Sequence, residues 1–338
     1  MGKKMFFVLV AILALFCQPV SASFSKGLTA YEEGRYEAAI KAFRAAAIKG
    51  EASSQFYLGT MYYNGQGIKQ DYKQAAAWFQ KAAEQGAAKA QYILSSMYFK
   101  GEGVKQDYKQ AMVWIQKAAE QGHVKAQYSL GVMYDTGQGI KQDYKQAMVW
   151  IQKAAERGYA DAQFNLGTMY GDGRGVEQNY KQAAEWYQKA AEQGDVKAQY
   201  NLGILYDSGR GVAQNYTQAA KWYQKAAEQG HASAQYNLGA MYYKGEGVKQ
   251  DYKQAAKWYQ KAADQGHASA QYNLGIVYEN GYGITQNYSI AHMWYNIAGA
   301  NGKAGAVEGR NRIAQRMTPQ QISEAQKLVE NWISSRTK

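Results

Sequence analysis

Three of the four histidines, His123, His231 and His267, occupy one position of a 36-residue period. Imidazole can bind a metal or move a proton, but structural zinc asks for four ligands converging on one point, and neighbouring copies offer one histidine each. The same slot elsewhere holds Ala87, Tyr159, Asp195 and Lys303, so an exposed helix start explains it. His292 stands alone and reads as structural. Ser23 and Lys26 have the Ser-x-x-Lys spacing of serine enzymes that attack β-lactams, without the partner motifs. Gly65-Gln66-Gly67 and its copies could cradle a phosphate, but they follow a helix instead of a strand and no Lys-Ser/Thr pair completes a P-loop. Asp71 and Glu120 stand for carboxylates that helix capping and a solvated face explain. These residues predict no catalytic group, no bound metal and no cofactor.

The elements that carry them repeat. Trp78, Trp114, Trp150, Trp186, Trp222, Trp258 and Trp294 are 36 residues apart, and a period in the range of about 20–50 residues marks a solenoid whose units bury their apolar faces only against neighbours. Each copy holds two helical stretches, A and B. On helix A, Ala198, Leu202 and Tyr206 make an apolar stripe at intervals of four. Gly203 sits beside it, and a glycine returns at Gly59, Gly131, Gly167, Gly239 and Gly275. Glycine costs a helix interior roughly 1 kcal/mol against alanine, so its return implies a close approach. Gly209 and Gly211 between the helices are expected at backbone angles that other residues resist. Helix B opens with Asp71 and Gln74, Asp107 and Gln110, Asn179 and Gln182, or Asp251 and Gln254, a spacing that predicts a capping box. Tyr72, Ala75, Trp78, Phe79, Ala82 and Ala83 are its expected packing positions, with tryptophan as inter-helix cement.

The ends differ from the body. Lys3, Lys4, the apolar run Met5–Phe16 and the small residues Val20-Ser21-Ala22 predict a secretory leader over residues 1–22. Removing it takes away Cys17, the only cysteine, and leaves an exported, periplasmic or secreted chain held by packing alone. No later run is long and apolar enough to span a membrane, so stable membrane insertion is not expected. The formal charge of +12 is spread over lysines of every copy, which reads as a solvated face; nucleic acid is not an expected partner. Residues 23–51 predict an N-terminal capping hairpin, and residues 303–338 a C-terminal cap. The cap's last helix begins at Thr318-Pro319-Gln320-Gln321 and docks through Ile322, Ala325, Val329, Trp332 and Ile333.

The compound pattern Ala-Gln-Tyr-Asn-Leu-Gly, Tyr, Gly-x-Gly-Val, Asp/Asn-Tyr, Ala, Trp and Lys-Ala-Ala over residues 52–302 resembles the Sel-like repeat family, relatives of the tetratricopeptide repeat. The resemblance implies an all-α, right-handed α/α superhelical solenoid of seven repeats. It also implies an adaptor that binds a protein or peptide as a single chain and is not an enzyme. The concave groove would then be lined by Asn165, Asn201, Asn237 and Asn273, whose counterparts in such arrays hydrogen-bond a peptide backbone. A variable column of Tyr63, Phe99, Asp135, Asp207 and Tyr243, with Asp172 beside it, would give selectivity. The alternative implied by exported relatives is an envelope enzyme of cell-wall or β-lactam chemistry. The cysteine-rich chains that suggest it have no counterpart in this composition.

Overall fold

The computed structural model describes residues 21–335. The expected leader lies outside them apart from Ser21 and Ala22. The described residues form eighteen α-helices and no strand. They fall into two compact units divided between Arg157 and Gly158. The division coincides with a repeat boundary, as expected where each repeat contacts only its neighbours.

The first unit contains α1 (Ala22–Glu32), α2 (Tyr36–Ile48), α3 (Ala52–Asn64), α4 (Tyr72–Glu84), α5 (Ala88–Lys100), α6 (Tyr108–Glu120), α7 (Val124–Thr136) and α8 (Tyr144–Glu156). The second contains α9 (Ala160–Asp172), α10 (Tyr180–Glu192), α11 (Val196–Ser208), α12 (Tyr216–Glu228), α13 (Ala232–Lys244), α14 (Tyr252–Asp264), α15 (Ala268–Asn280), α16 (Tyr288–Ala300), α17 (Ala306–Ala314) and α18 (Pro319–Ser334). Consecutive helices pair within each unit. In the repeats the odd-numbered helices α3 to α15 are the A helices and the even-numbered α4 to α16 the B helices.

The turns explain the glycines. Gly101 ends α5 at φ +76° and Gly103 follows at φ +71°; a Cβ at Gly103 would lie 2.1 Å from the Tyr72 carbonyl oxygen. A Cβ at Gly139 would lie 2.9 Å from the Tyr108 side chain, and one at Gly211 2.2 Å from the Tyr180 backbone. Within each unit these Gly-x-Gly turns therefore rest on the start of the preceding B helix. The helix A glycine meets the expected close approach: a Cβ at Gly203 would come 2.6 Å from the Tyr223 ring.

The capping box of helix B forms by half. Asp71 accepts from the Gln74 amide at 3.0 Å, but its own amide donates to the Tyr62 carbonyl at 3.0 Å. The Asp107 amide uses Tyr98 and the Asp251 amide Tyr242 in the same way. With that donor taken by helix A, the glutamine side chain has no cap amide to accept from. Thr318 and Gln321 make both halves, at the start of α18. Tyr72, expected among the packing positions, is exposed, because the first helical residue sits at the edge of the hairpin. Ile333 is exposed as well, and Leu328 takes its place against the last repeat with Val329 and Trp332.

The tryptophans carry a further layer. Lys81 lies 4.2 Å from the Trp78 ring centre, and Lys117, Lys153, Lys189, Lys225 and Lys261 repeat the arrangement over their own tryptophans at 3.8–4.4 Å. The i, i+3 spacing puts ammonium over ring on one helix face.

A buried glutamine relay ties repeats together. Gln235 on α13 donates to the Ala227 carbonyl at 3.0 Å, adding a second donor to a carbonyl at the end of α12 that also accepts from the Gly230 amide at 3.1 Å. Its own oxygen accepts from Gln265, the residue after α14, at 2.8 Å. Gln55, Gln91, Gln199 and Gln271 do the same. The relay fails once: Arg157 stands where the other copies have glutamine or asparagine, it donates to the Gly122 carbonyl, and the Gln127 oxygen is left buried without a partner. Arg157→Gln is expected to raise stability by about 1 kcal/mol by restoring that bond, read as a higher urea midpoint of the first unit. An unchanged midpoint would show that Gln127 is satisfied by other means.

Candidate functional site

The candidate residues lie on the A helices, and the packing beneath them decides what they can do. The B-helix residue that packs on the glycine of its own A helix is Phe79, Ile115 or Ile151 in the first unit and Tyr187, Tyr223, Tyr259 or Tyr295 in the second, with Ser95 in the glycine's place above Ile115. Tyrosine brings a hydroxyl up between the A helices; phenylalanine and isoleucine bring none.

In the second unit this hydroxyl gathers predicted residues into one cluster. Tyr223 donates to Asp207 at 3.3 Å, and Asn237 of the next repeat hydrogen-bonds the same hydroxyl. Burial, then the nearby Asp207 charge, pushes the Tyr223 hydroxyl far above its ordinary pKa. Burial also raises the Asp207 carboxyl, against the hydroxyl that donates to it, and the Glu246 carboxylate adds to the rise. Tyr187 bonds Thr168 at 3.2 Å and meets Asn201, and Tyr259 meets Asn273. These three asparagines thus tie an A helix to the preceding B helix. An amide that donates to the tyrosine oxygen keeps its carbonyl oxygen as an acceptor. Asn165, also half-buried, follows Ile151 in the sequence instead of a tyrosine.

In the first unit the equivalent place is an open cleft. A cavity of about 270 Å³ is lined by Thr60, Tyr63 and Asn64 of α3, by Tyr92, Ile93, Ser96 and Met97 of α5, and by Phe79 at its floor. Ile93 holds the asparagine position here, so the lining is aromatic and apolar with a rim of small hydroxyls.

The variable column is less free than its variation implied. Tyr63 donates to Glu102 in the next repeat's turn at 2.8 Å; that bond and burial push its hydroxyl up to about 12. Tyr243 packs on Tyr252 and Tyr282 at 5.2 and 5.9 Å, and Phe99 on Tyr108 at 5.2 Å. Glu279 closes the series, buried, accepting from Tyr295 at 2.6 Å and from Arg312 of α17 at 2.8 Å. Burial pushes Glu279 up, but the Arg312 guanidinium and the Tyr295 hydroxyl outweigh it and hold the carboxyl below the usual value. Asp172 is exposed beside Arg174 at 3.5 Å, and Asp135 is half-buried. Much of this column's variation is therefore paired variation across a repeat interface.

The histidine slot, expected to be a simple exposed helix start, is half-buried and structured. His123, His231 and His267 each cap an A helix: Nδ1 accepts from Ala126, Ala234 and Ala270 amides at 3.2 Å. The rings stack on Tyr92, Tyr200 and Tyr236 of the previous repeat at 4.5–4.9 Å. Burial lowers all three pKa values, helped by Lys125, Lys89 and Arg157 at His123, Lys197 at His231 and Lys303 at His267. Because the folded pKa lies below the ordinary 6.5, the stabilisation is complete above that value and is lost as pH falls from it through the lower folded value. Protonated Nδ1 cannot accept the helix amide and adds a cation at the positive helix end. Replacing all three by aspartate, the residue that caps α11 as Asp195 with a 2.7 Å bond, is expected to narrow the loss of melting temperature between pH 7 and pH 5. An equal loss in both proteins would sink this reading.

Ser23 and Lys26 both line a cavity of about 680 Å³ between α1 and α2, but Lys26 is exposed. A lysine that serves as a base for serine is neutral, which needs desolvation. His292 is buried, its pKa lowered by burial and by Arg310. No group of three or more potential metal ligands exists among the described residues.

Known proteins match the architecture. The Sel1 repeat matches residues 52–86, 88–123, 124–159, 160–195, 196–231, 232–267 and 268–303. A crystal structure of a Sel1 repeat protein from Oxalobacter formigenes is 36% identical, with a TM-score of 0.66 over 86% of this chain and 85% of that one. A protective antigen of uropathogenic Escherichia coli strains, described as displaying an SLR fold, is 34% identical, with a TM-score of 0.50 over 93% of this chain and 84% of that one. No curated protein matches the chain in sequence.

Proposed function

This chain belongs to the Sel1 repeat family, generally protein-interaction scaffolds without enzymatic activity, and we propose that it is an exported adaptor gripping an extended peptide along its A helices. The cleft between α3 and α5 carries the reading. Its volume of about 270 Å³, aromatic walls and Phe79 floor suit one apolar side chain of a partner, the kind of buried anchor that dominates interface energy. In the second unit the asparagine carbonyls, fixed by the tyrosine hydroxyls, supply acceptors for peptide N–H groups. The first unit thus offers a place for a side chain and the second places for a backbone.

A photocrosslinking residue placed at Ile93 tests the cleft in the native envelope, against the same residue at Lys221 on a B helix. Adducts at position 93 that disappear when Ser96→Phe fills the cleft are expected; equal labelling from both positions overturns the assignment. For the acceptors, Asn201→Ala with Asn237→Ala is expected to weaken the captured partner's binding while helical content is kept, with a lower melting temperature because each amide also meets a buried tyrosine hydroxyl. Tyr223→Phe separates the roles: it removes the tie beneath Asn237 and keeps the carbonyl. Export rests on the leader, and a purified protein beginning at Ser23 supports it, whereas one retaining Met1 from its native host overturns it.

A further inference from the structure

The hexapeptide Lys-Gln-Asp-Tyr-Lys-Gln occurs at residues 69–74, 105–110 and 141–146, in three consecutive repeats of the first unit, and once more, by itself, at 249–254 in the second. The eighteen residues of the three consecutive copies are exposed. Most have a structural task. Gln70 and Gln106 donate to the carbonyls of Tyr63 and Phe99 at 2.8 and 2.9 Å and to the hydroxyls of Tyr72 and Tyr108 at 3.1 and 2.9 Å. Asp71, Asp107 and Asp143 cap their helices. Tyr72 and Tyr108 seat the next turns through Gly103 and Gly139.

The six lysines are left over. Lys69, Lys73, Lys105, Lys109, Lys141 and Lys145 make no ion pair among the described residues. The second unit shows that the scaffold does not need them: its corresponding first positions are Glu177, Ala213, Lys249 and Thr285, and its fifth are Lys181, Thr217, Lys253 and Ser289. The stacking of Gly103 on Tyr72 and of Gly139 on Tyr108 puts the three stations side by side along one edge of the unit. Between each lysine pair stands a tyrosine 37–40% exposed, with two of the three hydroxyls held by glutamine.

From this we infer that the turn edge of the first unit binds a linear acidic polysaccharide. Lysines at a regular interval meet carboxylates spaced along a polymer, and the open tyrosine rings offer apolar faces to the C–H face of a sugar, which a polypeptide acid or a lipid headgroup does not present in this form. Three like stations act together, so affinity for a long polymer exceeds that of one station through effective concentration. This edge borders the A-helix face, with Tyr72 on Tyr63 at 5.0 Å and Tyr108 on Phe99 at 5.2 Å, but none of its lysines lines the cleft.

The test uses the full chain and three soluble polymers: polygalacturonate, its methyl ester, and poly-L-glutamate of similar length. Binding to polygalacturonate is expected, falling with added salt, with little binding to the neutral ester. Lys69→Gln, Lys105→Gln and Lys141→Gln together are expected to weaken it about a hundredfold, roughly fivefold per lysine at a charged surface. Lys221→Gln, Lys257→Gln and Lys327→Gln remove the same charge from helix positions outside the hexapeptides and are expected to change it less than about threefold. Tyr72→Ser, Tyr108→Ser and Tyr144→Ser are expected to weaken polygalacturonate and leave poly-L-glutamate unaffected. Equal weakening by both lysine triples, equal affinity for poly-L-glutamate, or binding only to anionic vesicles would each overturn the proposal.

Discussion

Gly103→Ala is expected to destabilise the first unit by about 2–5 kcal/mol, combining a left-handed backbone penalty of about 1–2 with an overpacking cost of about 1–3. The new Cβ would lie 2.1 Å from the Tyr72 carbonyl oxygen and 2.8 Å from the Lys73 nitrogen. Both are backbone atoms at the start of α4, so no side-chain rotation relieves the clash. The turn must lift off the helix it rests on. Gly86 provides the control: its φ is +88°, but a Cβ there meets nothing within 4 Å. Gly86→Ala should cost only the backbone penalty of about 1–2 kcal/mol. Urea unfolding of the two variants separates the effects, and in a solenoid the Gly103 variant should also broaden the transition, since one interface is weakened while others keep their strength. Equal midpoints would refute the stacking of turn on helix as a source of stability.

Gln235→Leu should cost about 2–3 kcal/mol although the volume hardly changes, because two bonds are lost: the one Gln235 donates to the Ala227 carbonyl, which keeps the Gly230 amide as a donor, and the one its oxygen accepts from Gln265. Gln127→Leu is the matched case. Gln127 donates to the Ala119 carbonyl at 3.1 Å, but its oxygen already has no partner, so only one bond is lost and about 1–2 kcal/mol is expected. The ordering of the two urea midpoints is the measurement. If Gln127→Leu costs as much as Gln235→Leu, the relay is not a source of stability beyond its first bond.

Much of the fold was legible in the sequence, and the reasons are local. The tryptophan interval and the Gly-x-Gly turns act over a few residues. A glycine at φ +71° or an aspartate three residues before the amide it caps announces itself in any copy. The Gly203 column was legible too, because a glycine that recurs inside a helix at a cost to helix stability marks a place where a neighbour comes too close for a side chain.

The candidate site was legible only in outline. Position picked out the asparagine and variable columns, but their partners lie in other repeats: Asn237 bonds a tyrosine of the previous B helix, and Tyr63 bonds Glu102 across a repeat boundary. A signal existed in the pairing of columns. Asn201, Asn237 and Asn273 each follow a tyrosine at the B-helix position, Tyr187, Tyr223 and Tyr259, whereas Phe79 and Ile115 are followed by Ile93 and Ser129. The glutamine relay and the histidine caps left a weaker trace, since a polar residue on an alanine-rich helix reads as solvated until its burial is known.

The sequence by itself determined a seven-fold helical hairpin with glycine-built turns, because helix period, cap chemistry and the sign of φ are set within a few residues of chain. Only the tertiary structure decided which polar groups are spent on joining repeats and which remain for a partner. That depends on how far one hairpin is staggered against the next, a quantity carried by backbone contacts such as Gly103 on Tyr72 and by no single residue.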